Sequence, residues 1–226
     1  MLSVIIPAYN EKSTIREIIN RVKAVKILKE VIVIDDGSTD GTREILKEIK
    51  DPEIKVVFHE KNYGKSHAIR TGIEAAIGGI IIIQDADLEY DPNDYAALIE
   101  PILSGRAEVV YGSRWLNQGF SKTPFNLFRF GRWFLTILTN LLYRTKITDE
   151  PCCYKVFKAE VIKNISLVCE GFEFCPEITA KVSRKGYKIY EVPVSYYPRS
   201  FEEGKKIKYS DGLEALVTLL KYRFWR

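Results

Sequence analysis

The stretch that decides the fold is Ile80-Ile81-Ile82-Ile83-Gln84-Asp85-Ala86-Asp87-Leu88-Glu89. Four β-branched residues in a row after Gly78-Gly79 predict a buried strand. Because alternate residues of a strand point to the same side, Asp85, Asp87 and Glu89 can converge on one point. Carboxylates that close together repel unless a cation lies between them. The sequence therefore offers a candidate site for a hard divalent cation at the carboxyl end of a strand, where open α/β sheets bind ligands.

The acidic residues after this strand also have a structural explanation. Asp91-Pro92 followed by Asn93-Asp94 is typical of a helix start, where acidic residues act as caps and Pro fits the first turn. An Asp-x-Asp pair is in addition common by chance, so the rest of the chain has to decide between a metal site and a cap.

The rest of the first half alternates between strand and helix patterns. Strands are predicted at Leu2–Pro7, Glu30–Asp36, Lys55–Phe58 and Ile80–Ile83, and helices at Thr14–Lys26, around Ile45–Ile49 and at His67–Ile77. Such alternation predicts an α/β fold with a mostly parallel central sheet flanked by helices. No G-x-G-x-x-G or phosphate-loop Lys motif follows a strand. Instead, three of the strands are followed by carboxylates, namely Glu11, Asp35-Asp36 and Asp85/Asp87.

The second half has a looser pattern. Its predicted elements are a strand at Glu108–Arg114, an aromatic-rich helix at Phe125–Tyr143, a strand or hairpin at Tyr187–Tyr197, a polar loop at Arg199–Lys208 and an amphipathic helix at Leu213–Trp225. With 226 residues, 46% of them hydrophobic, one large domain covering 1–226 is the natural expectation.

Charge divides the chain into two parts. Residues 1–112 carry 14 Lys and Arg against 19 Asp and Glu, whereas residues 113–226 carry 20 against 11. An acidic, metal-capable half beside a basic half suggests a nucleotide with its metal, next to a surface for phosphate or anionic lipid. Nucleic acid is not expected as a partner, because the basic half has no zinc-finger spacing and no RNA-binding aromatic signature.

The four cysteines and the apolar runs argue against other classes. The cysteine spacing matches no zinc pattern, and free thiols in a reducing cytoplasm are expected. The longest uncharged apolar-rich run, Trp133 to Tyr143, has eleven residues, whereas a membrane-spanning helix needs about twenty.

The order of the motifs resembles one family. Val4 to Glu11, Val33 to Thr42, Asn62-x-Gly64-Lys65, Asp85-Ala86-Asp87 and Gly112-Ser113-Arg114 together are similar to the family-2 glycosyltransferases, which have the GT-A fold. The resemblance covers residues 1–116 closely, and the subgroup it is most similar to is the dolichyl-phosphate mannose synthases and related polyprenyl-phosphate glycosyltransferases. It implies a nucleotide-sugar and metal half, 1–116, and an acceptor- and membrane-facing half, 117–226.

The resemblance also implies a role for individual residues of the first half. The nucleotide sugar would be bound by Pro7, Tyr9, Glu11, Asp36, Lys65 and Asp85. Asp85 and Asp87, with Glu89 as a further ligand, would hold Mg²⁺ or Mn²⁺ against the donor diphosphate, and Arg114 would add a second positive contact. Three of these residues also have a structural explanation: Asp36 could cap the next helix, Lys65 could be a solvated lysine, and Arg114 could form a structural ion pair.

In the second half, the resemblance is carried by basic residues. Arg132 and Thr136 lie four apart on one helix face and resemble a pair that meets the acceptor and donor phosphates, with Arg129 as the alternative to Arg132. Arg199 and Lys205 would close over the phosphates from a loop. Two departures from the subgroup, Cys153 in place of Gly and the missing Ser after Gly204, affect the acceptor side.

Two questions stay open at this point. A polyprenyl-phosphate acceptor needs positive groups for positioning, whereas a hydroxyl acceptor needs a general base, for which Asp149 is the best candidate; inversion at the anomeric carbon is implied by the family in either case. A non-catalytic nucleotide-sugar-binding module is the third reading. The segment Phe125–Tyr143 suits a membrane interface or a core helix. Many members of the subgroup continue into transmembrane helices at this point, whereas the present sequence stops; we therefore expect a protein peripheral to the cytoplasmic leaflet, with a membrane-protein partner also compatible.

Overall fold

The computed structural model describes residues 1–117, 127–199, 204, 206 and 209–225. The strands are β1 (Leu2–Ala8), β2 (Lys29–Asp35), β3 (Ile54–Phe58), β4 (Ile80–Ile83), β5 (Val109–Ser113), β6 (Lys155–Lys158) and β7 (Ile189–Pro193). The helices are α1 (Ile15–Ala24), α2 (Thr42–Lys47), α3 (Lys65–Ala75), α4 (Tyr95–Leu103), α5 (Leu127–Tyr143), α6 (Ala159–Lys163), α7 (Phe174–Arg184) and α8 (Tyr209–Phe224). A short 3-10 helix, Pro92–Asp94, precedes α4.

The strands form one sheet in the order β3-β2-β1-β4-β6-β5-β7. All neighbours pair in parallel except β6, which runs antiparallel to both β4 and β5. The α/β fold with a mostly parallel sheet predicted from the sequence is therefore confirmed. Strands β2, β1 and β4 lie side by side, so the residues that follow their carboxyl ends meet at one edge of the sheet.

The isoleucine run is buried on both faces of the sheet. Ile80 and Ile82 pack in a cluster that includes Ile15 and Ile18 of α1. Ile81 and Ile83 face the opposite side and pack in a second cluster around α3 and α7. An uninterrupted apolar strand is what a sheet covered by helices on both faces requires, and it fixes the position at which Asp85 and Asp87 leave the core.

Helix α5, for which the sequence left a membrane interface or a core position open, has one buried and one exposed face. Leu135 on its buried face packs against Ala215 and Leu219 of α8. On the other face, Trp133 is 48% exposed and Leu141 is 76% exposed. Phe125 lies outside the described residues. Within the described ranges, no helix combines the length and the apolarity needed to cross a membrane.

Candidate active site

A cleft of about 760 Å³ lies at the carboxyl edge of β2, β1 and β4. Eleven of the residues that the sequence singled out as nucleotide, metal or phosphate candidates line it: Pro7, Tyr9, Glu11, Asp36, Lys65, Asp85, Asp87, Glu89, Arg114, Arg132 and Arg199. Three other candidates, Arg129, Thr136 and Asp149, are not among the residues that line it, and Lys205 lies outside the described residues. The motifs that are up to about two hundred residues apart in the chain thus meet in one place, as parallel strand ends do.

Asp85 and Lys65 form a buried ion pair at the floor of the cleft. Lys65 Nζ lies 2.5 Å from Asp85 Oδ1 and donates to Cys153 Sγ at 3.4 Å. Burial opposes ionisation of Asp85, but the Lys65 ammonium, the Cys153 thiol and the Arg199 guanidinium together outweigh it, so the pKa of the carboxyl is lowered. Lys65 is therefore not a solvated lysine: in this structure its ammonium is paired with Asp85, and its role toward base or phosphate stays a prediction.

Arg199 connects two carboxylates on opposite sides of the cleft. Its Nη1 lies 3.1 Å from Glu11 Oε2, and its Nη2 lies 3.1 Å from Asp87 Oδ2. Its backbone N–H donates to Glu89 Oε1 at 2.8 Å, and the other oxygen of Glu89 accepts from the Tyr196 hydroxyl at 3.0 Å. The side chain of Glu89 is thus directed to the Tyr196–Arg199 segment.

The predicted three-carboxylate metal set is not assembled in this structure. Among the described residues, no three or more His, Cys, Asp or Glu side chains are grouped to hold a metal ion. Asp85 and Asp87 nevertheless fit a hard cation. Burial and repulsion from Asp85 and Glu89 raise the pKa of Asp87 to about 7, which shows that negative charge is crowded at this point. Carboxylate oxygens are the ligands that Mg²⁺ and Mn²⁺ prefer, and a divalent cation would relieve this repulsion.

Asp36 holds the loop that forms one wall of the cleft. Its carboxylate accepts from the backbone N–H of Tyr63 at 3.0 Å and of Gly64 at 2.8 Å, and His59 Nδ1 lies 2.7 Å away. Gly64 has φ +97°, and a Cβ there would lie 2.3 Å from the Glu170 carbonyl oxygen. No other residue fits that position, which explains the Asn-x-Gly-Lys motif. Neither a capping nor a nucleotide role alone describes Asp36.

Arg114 and Asp149 form the structural ion pair that the sequence left as an alternative. Arg114 Nε and Nη2 each donate to one Asp149 oxygen at 2.7 Å, and the Arg114 backbone N–H donates to Oδ2 at 2.9 Å. Asp149 is fully buried and Arg114 is 4% exposed. Asp149 is therefore poorly placed as a general base. Arg114 lines the cleft while its guanidinium is bound to Asp149.

Arg132 lines the cleft, whereas Thr136, one turn further along α5, is not among the residues that line it. The Thr136 hydroxyl donates to the Arg132 carbonyl at 2.9 Å and accepts from the Glu150 backbone N–H at 3.1 Å. Threonine in a helix commonly bonds back to the preceding turn, so the Thr136 hydroxyl is engaged within the protein in this structure, and the phosphate role implied by the resemblance stays a prediction. Arg129, the alternative to Arg132, stacks over the Trp115 ring at 4.6 Å.

Sequence reasoning missed two contributors to the cleft. Lys206 Nζ lies 2.6 Å from Glu11 Oε1 and donates to the Asn10 carbonyl at 3.0 Å. Tyr196 forms a bridge with Tyr90, and the Arg114 guanidinium lies 4.9 Å from the Tyr196 ring centroid. The sequence did contain a signal for Lys206, because it belongs to the Gly204-Lys205-Lys206 motif. An irregular loop has no periodicity, however, that would favour Lys206 over Lys205.

The mostly parallel sheet and its flanking helices have the GT-A fold. The same fold is found in the crystal structure of glucosyl-3-phosphoglycerate synthase from Mycobacterium tuberculosis in complex with Mn²⁺, UDP and phosphoglyceric acid, with a TM-score of 0.74 at 22% identity over 99% of this chain and 78% of that one. The chain belongs to glycosyl transferase family 2, whose family model matches residues 3–166. Sugar transfer is accordingly its class of reaction.

Two curated relatives narrow the subgroup. The chain is 29% identical over 240 residues to the UDP-N-acetylglucosamine–dolichyl-phosphate N-acetylglucosaminyltransferase of Methanococcus voltae, covering 97% of this chain and 95% of the relative. It is 31% identical over 209 residues to the dolichol-phosphate mannosyltransferase of Pyrococcus furiosus, covering 90% of this chain and 58% of the relative. The resemblance to the dolichyl-phosphate subgroup is thereby confirmed.

Proposed function

We propose that this protein transfers a hexose, with inversion, from a nucleotide-diphosphate sugar to a polyprenyl phosphate. The observation that carries the acceptor class is the Arg114–Asp149 pair, in which both oxygens of the candidate base are bound to the guanidinium. A hydroxyl acceptor would need a base near neutral pH. A lipid phosphate is already an anion and needs only positive groups that position it, and Arg132 lines the cleft for this purpose.

The names of the relatives support the same acceptor. Both the Methanococcus voltae and the Pyrococcus furiosus protein are named for transfer to a dolichyl phosphate. The shared region includes most of this chain, so the acceptor side of the fold is part of the likeness. We extend this acceptor class to the present protein as a proposal.

The donor would lie along the acidic side of the cleft. Tyr9, 36% exposed, offers a flat surface for a nucleotide base. Glu11 can accept from the nucleoside, but its oxygens are bound by Arg199 and Lys206 in this structure. The donor diphosphate would compete with Glu11 and Asp87 for the Arg199 guanidinium and the Lys206 ammonium. These two side chains would then bind the donor phosphates instead of the carboxylates.

Asp85 and Asp87 would hold a divalent cation against the donor diphosphate. When bound, such a cation neutralises charge that builds on the departing nucleoside diphosphate. The chain's own contribution is to hold the carboxylates at the end of β4 and to supply Arg199 from the facing segment. Mg²⁺ and Mn²⁺ are the cations that this oxygen-rich set favours.

A peripheral position on the cytoplasmic leaflet would bring the protein to its acceptor. Phe130 and Phe134 of α5 are each 44% exposed, and Leu213 and Val217 of α8 are 67% and 60% exposed. Exposed apolar side chains on two helices that also carry Arg and Lys are typical of an interfacial contact with lipid. A membrane-protein partner would be accommodated by the same surface.

One incubation tests the proposal against its rivals. The protein is mixed with Mn²⁺, a panel of nucleotide sugars, and either a polyprenyl phosphate or a series of saccharide hydroxyl acceptors. We expect a sugar to appear on the lipid phosphate. Transfer to hydroxyl acceptors alone would refute the acceptor class, and nucleotide-sugar binding without any turnover would show a non-catalytic module.

A further inference from the structure

Two free thiols, Cys153 and Cys175, lie where the cleft adjoins a smaller cavity of about 300 Å³. Cys153 lines both spaces, and Cys175 lines the cavity. Cys153 stands where the subgroup pattern has Gly, and no step of the proposed transfer uses either thiol. A pair of thiols that borders open space can be reached by a small oxidant.

The two thiol side chains are hydrogen-bonded to each other. The Cys153 thiol bonds to the Cys175 sulfur. In addition, Cys175 Sγ lies 3.8 Å from the carbonyl oxygen of Cys152, the residue directly before Cys153. A disulfide requires Cβ atoms about 4 Å apart and Cα atoms within about 7 Å. Side chains that already share a hydrogen bond are close to this geometry.

The backbone around the pair can adjust to a new bond. Cys153 lies in the irregular segment between α5 and β6, and Cys175 lies in the first turn of α7. Loops and helix ends open at a lower free energy than the interior of a sheet. The two sulfur atoms can therefore come together without breaking a strand pairing.

Nearby groups favour the thiolate of Cys175. The hydrogen bond from Cys153 and the ammonium groups of Lys155 and Lys65 outweigh burial, and they lower the pKa of the Cys175 thiol to about 6. The thiolate is the form of cysteine that reacts with oxidants. The hydrogen bond to Cys175 and burial raise the pKa of Cys153, which keeps its proton and is the second thiol to react.

We propose that Cys153 and Cys175 form a reversible disulfide when the protein meets hydrogen peroxide. The Cys175 thiolate attacks one peroxide oxygen and breaks the O–O bond, which leaves a sulfenic acid and a hydroxide ion. This hydroxide takes up the proton that the thiol had given to solvent and becomes water. The Cys153 sulfur then attacks the sulfenic sulfur, and its proton leaves with the hydroxyl as a second water. The thiols lose two electrons, the peroxide gains two, and a dithiol reverses the bond.

The disulfide would change the floor of the cleft. In the reduced protein the Lys65 ammonium has Asp85 at 2.5 Å and Cys153 Sγ at 3.4 Å as polar partners. Bond formation draws this sulfur toward Cys175, so the buried ammonium depends on Asp85 alone and competes more strongly with a cation for that carboxylate. Asp85 also loses the thiol as a donor, which acts the other way, but a thiol is a weak donor. We therefore expect oxidation to weaken Mn²⁺ binding.

Peptide mapping of the oxidised protein tests the disulfide, which does not depend on the proposed function. The protein is treated with hydrogen peroxide, its remaining thiols are alkylated, and trypsin then releases residues 147–155 with Cys153 and residues 164–181 with Cys175. We expect a cross-link between these two peptides that dithiothreitol removes. Peroxide-treated wild type without this cross-link would overturn the proposal.

The other two cysteines provide matched controls, because each of the two peptides contains one of them. Cys153→Ala and Cys175→Ala should abolish the cross-link. Cys152→Ala and Cys169→Ala remove a thiol from the same peptides and should keep it. A cross-link that persists in Cys153→Ala or in Cys175→Ala would show that a different pair reacts and would overturn the assignment.

Calorimetric titration with Mn²⁺ tests the effect on the cleft, and this part rests on the proposed cation at Asp85 and Asp87. After the peroxide has been removed, we expect the oxidised wild type to bind Mn²⁺ at least about threefold more weakly than the reduced protein. Cys175→Ala should bind Mn²⁺ equally before and after treatment. A cross-link without a change in affinity would overturn the effect on the cleft and support the disulfide. Absence of Mn²⁺ binding in both states would overturn the proposed cation, while the peptide map would still decide the disulfide.

Discussion

Arg199 neutralises two carboxylates of the cleft in the absence of a ligand. Its guanidinium lies between Glu11 and Asp87, 3.1 Å from each, which is where the nucleotide and its cation would place their charges. A charged group held by several partners is costly to move unless the incoming ligand replaces those partners. The donor and its metal together can do so, because one supplies anions for Arg199 and the other a cation for the carboxylates.

The first prediction at this scale concerns the metal. In the wild type, Mn²⁺ at a concentration of 100 Kd should raise the free energy of unfolding by about 2.7 kcal/mol, and the unfolding midpoint should rise with it. Asp87→Ala should abolish both this shift and sugar transfer while the far-UV circular dichroism stays unchanged. Asp51→Ala removes the partner of Lys23 and of the Glu53 backbone N–H at a position that does not line the cleft; it is the control and should keep both. A full Mn²⁺ shift or full turnover in Asp87→Ala would refute the assignment.

The second prediction concerns the buried pair of Arg114 and Asp149. Asp149→Asn leaves the guanidinium buried without its counter-charge, and we expect a loss of about 3–5 kcal/mol in the free energy of unfolding. Urea titration measures it. Glu17→Gln breaks the exposed pair with Arg21 and should change stability little. If both variants unfold at the wild-type midpoint, Arg114 is not held by Asp149.

The same two residues show what the sequence could and could not predict about the site. Strand ends and motif order placed Glu11, Asp36, Asp85 and Asp87 on one edge, because parallel strands leave no other arrangement. The pairing of Arg114 with Asp149 depends instead on how residues 35 apart in the chain approach each other. No local pattern encodes such an approach, so the structure had to decide between a phosphate contact and an ion pair.

At the scale of elements, α3 approaches the sheet closely at one glycine. A Cβ on Gly72 would lie 2.3 Å from Ile5 Cγ2 and 2.9 Å from Ile34 Cδ1. We expect Gly72→Ala to reduce the free energy of unfolding by about 1–3 kcal/mol through overpacking, despite the better helix propensity of alanine. In Gly131→Ala the new methyl would meet no atom within 4 Å, so this variant in α5 should be as stable as the wild type or more so. Chemical denaturation that ranks the two variants in the reverse order would contradict this packing.

Two of the elements that the sequence did not predict bury polar residues. Strand β6 has a lysine at its start, Lys155, which is fully buried, donates to the Glu150 carbonyl at 2.8 Å and lies 3.6 Å from the Tyr111 ring centroid. Helix α7 buries Glu177, whose oxygens accept from the backbone of Val168 and Cys169. Burial patterns assume that charge marks the surface, and here partners elsewhere in the fold reverse that assumption.

At the scale of the whole molecule, Glu150 should make stability depend on pH. The folded state keeps a proton on this carboxyl up to a pKa of about 8, against an ordinary value of 4.5. Between these values the unfolded state has released the proton, so the Glu150 contribution is fully present below pH 4.5 and is lost as pH rises toward 8. Glu150→Gln should match the wild type at acid pH and exceed it by on the order of a few kcal/mol above pH 8. Denaturation curves with a pH-independent difference would refute the buried, protonated state.

The two halves of the chain have opposite charge, with 14 basic against 19 acidic residues up to 112 and 20 against 11 beyond. An anionic bilayer should therefore attract the half that carries α5 and α8 and repel the half that carries the carboxylates. This would turn the exposed apolar face toward lipid and leave the nucleotide side toward water. The orientation needs no membrane-spanning segment, only a surface potential that acts over a Debye length.

Sedimentation with lipid vesicles tests this orientation. Binding should be stronger to anionic than to neutral vesicles and should fall as salt shortens the Debye length from about 30 Å at 0.01 M to about 10 Å at 0.1 M. Leu213→Asp should weaken binding at every salt concentration, because it adds a negative charge to the apolar face of α8, where Leu213 is 67% exposed. Leu28→Asp, at a position 77% exposed in the acidic half, carries the same change and should bind as the wild type does. If both variants lose binding equally, the charge of the whole molecule governs the contact, and the α5–α8 face is not the surface that meets the membrane.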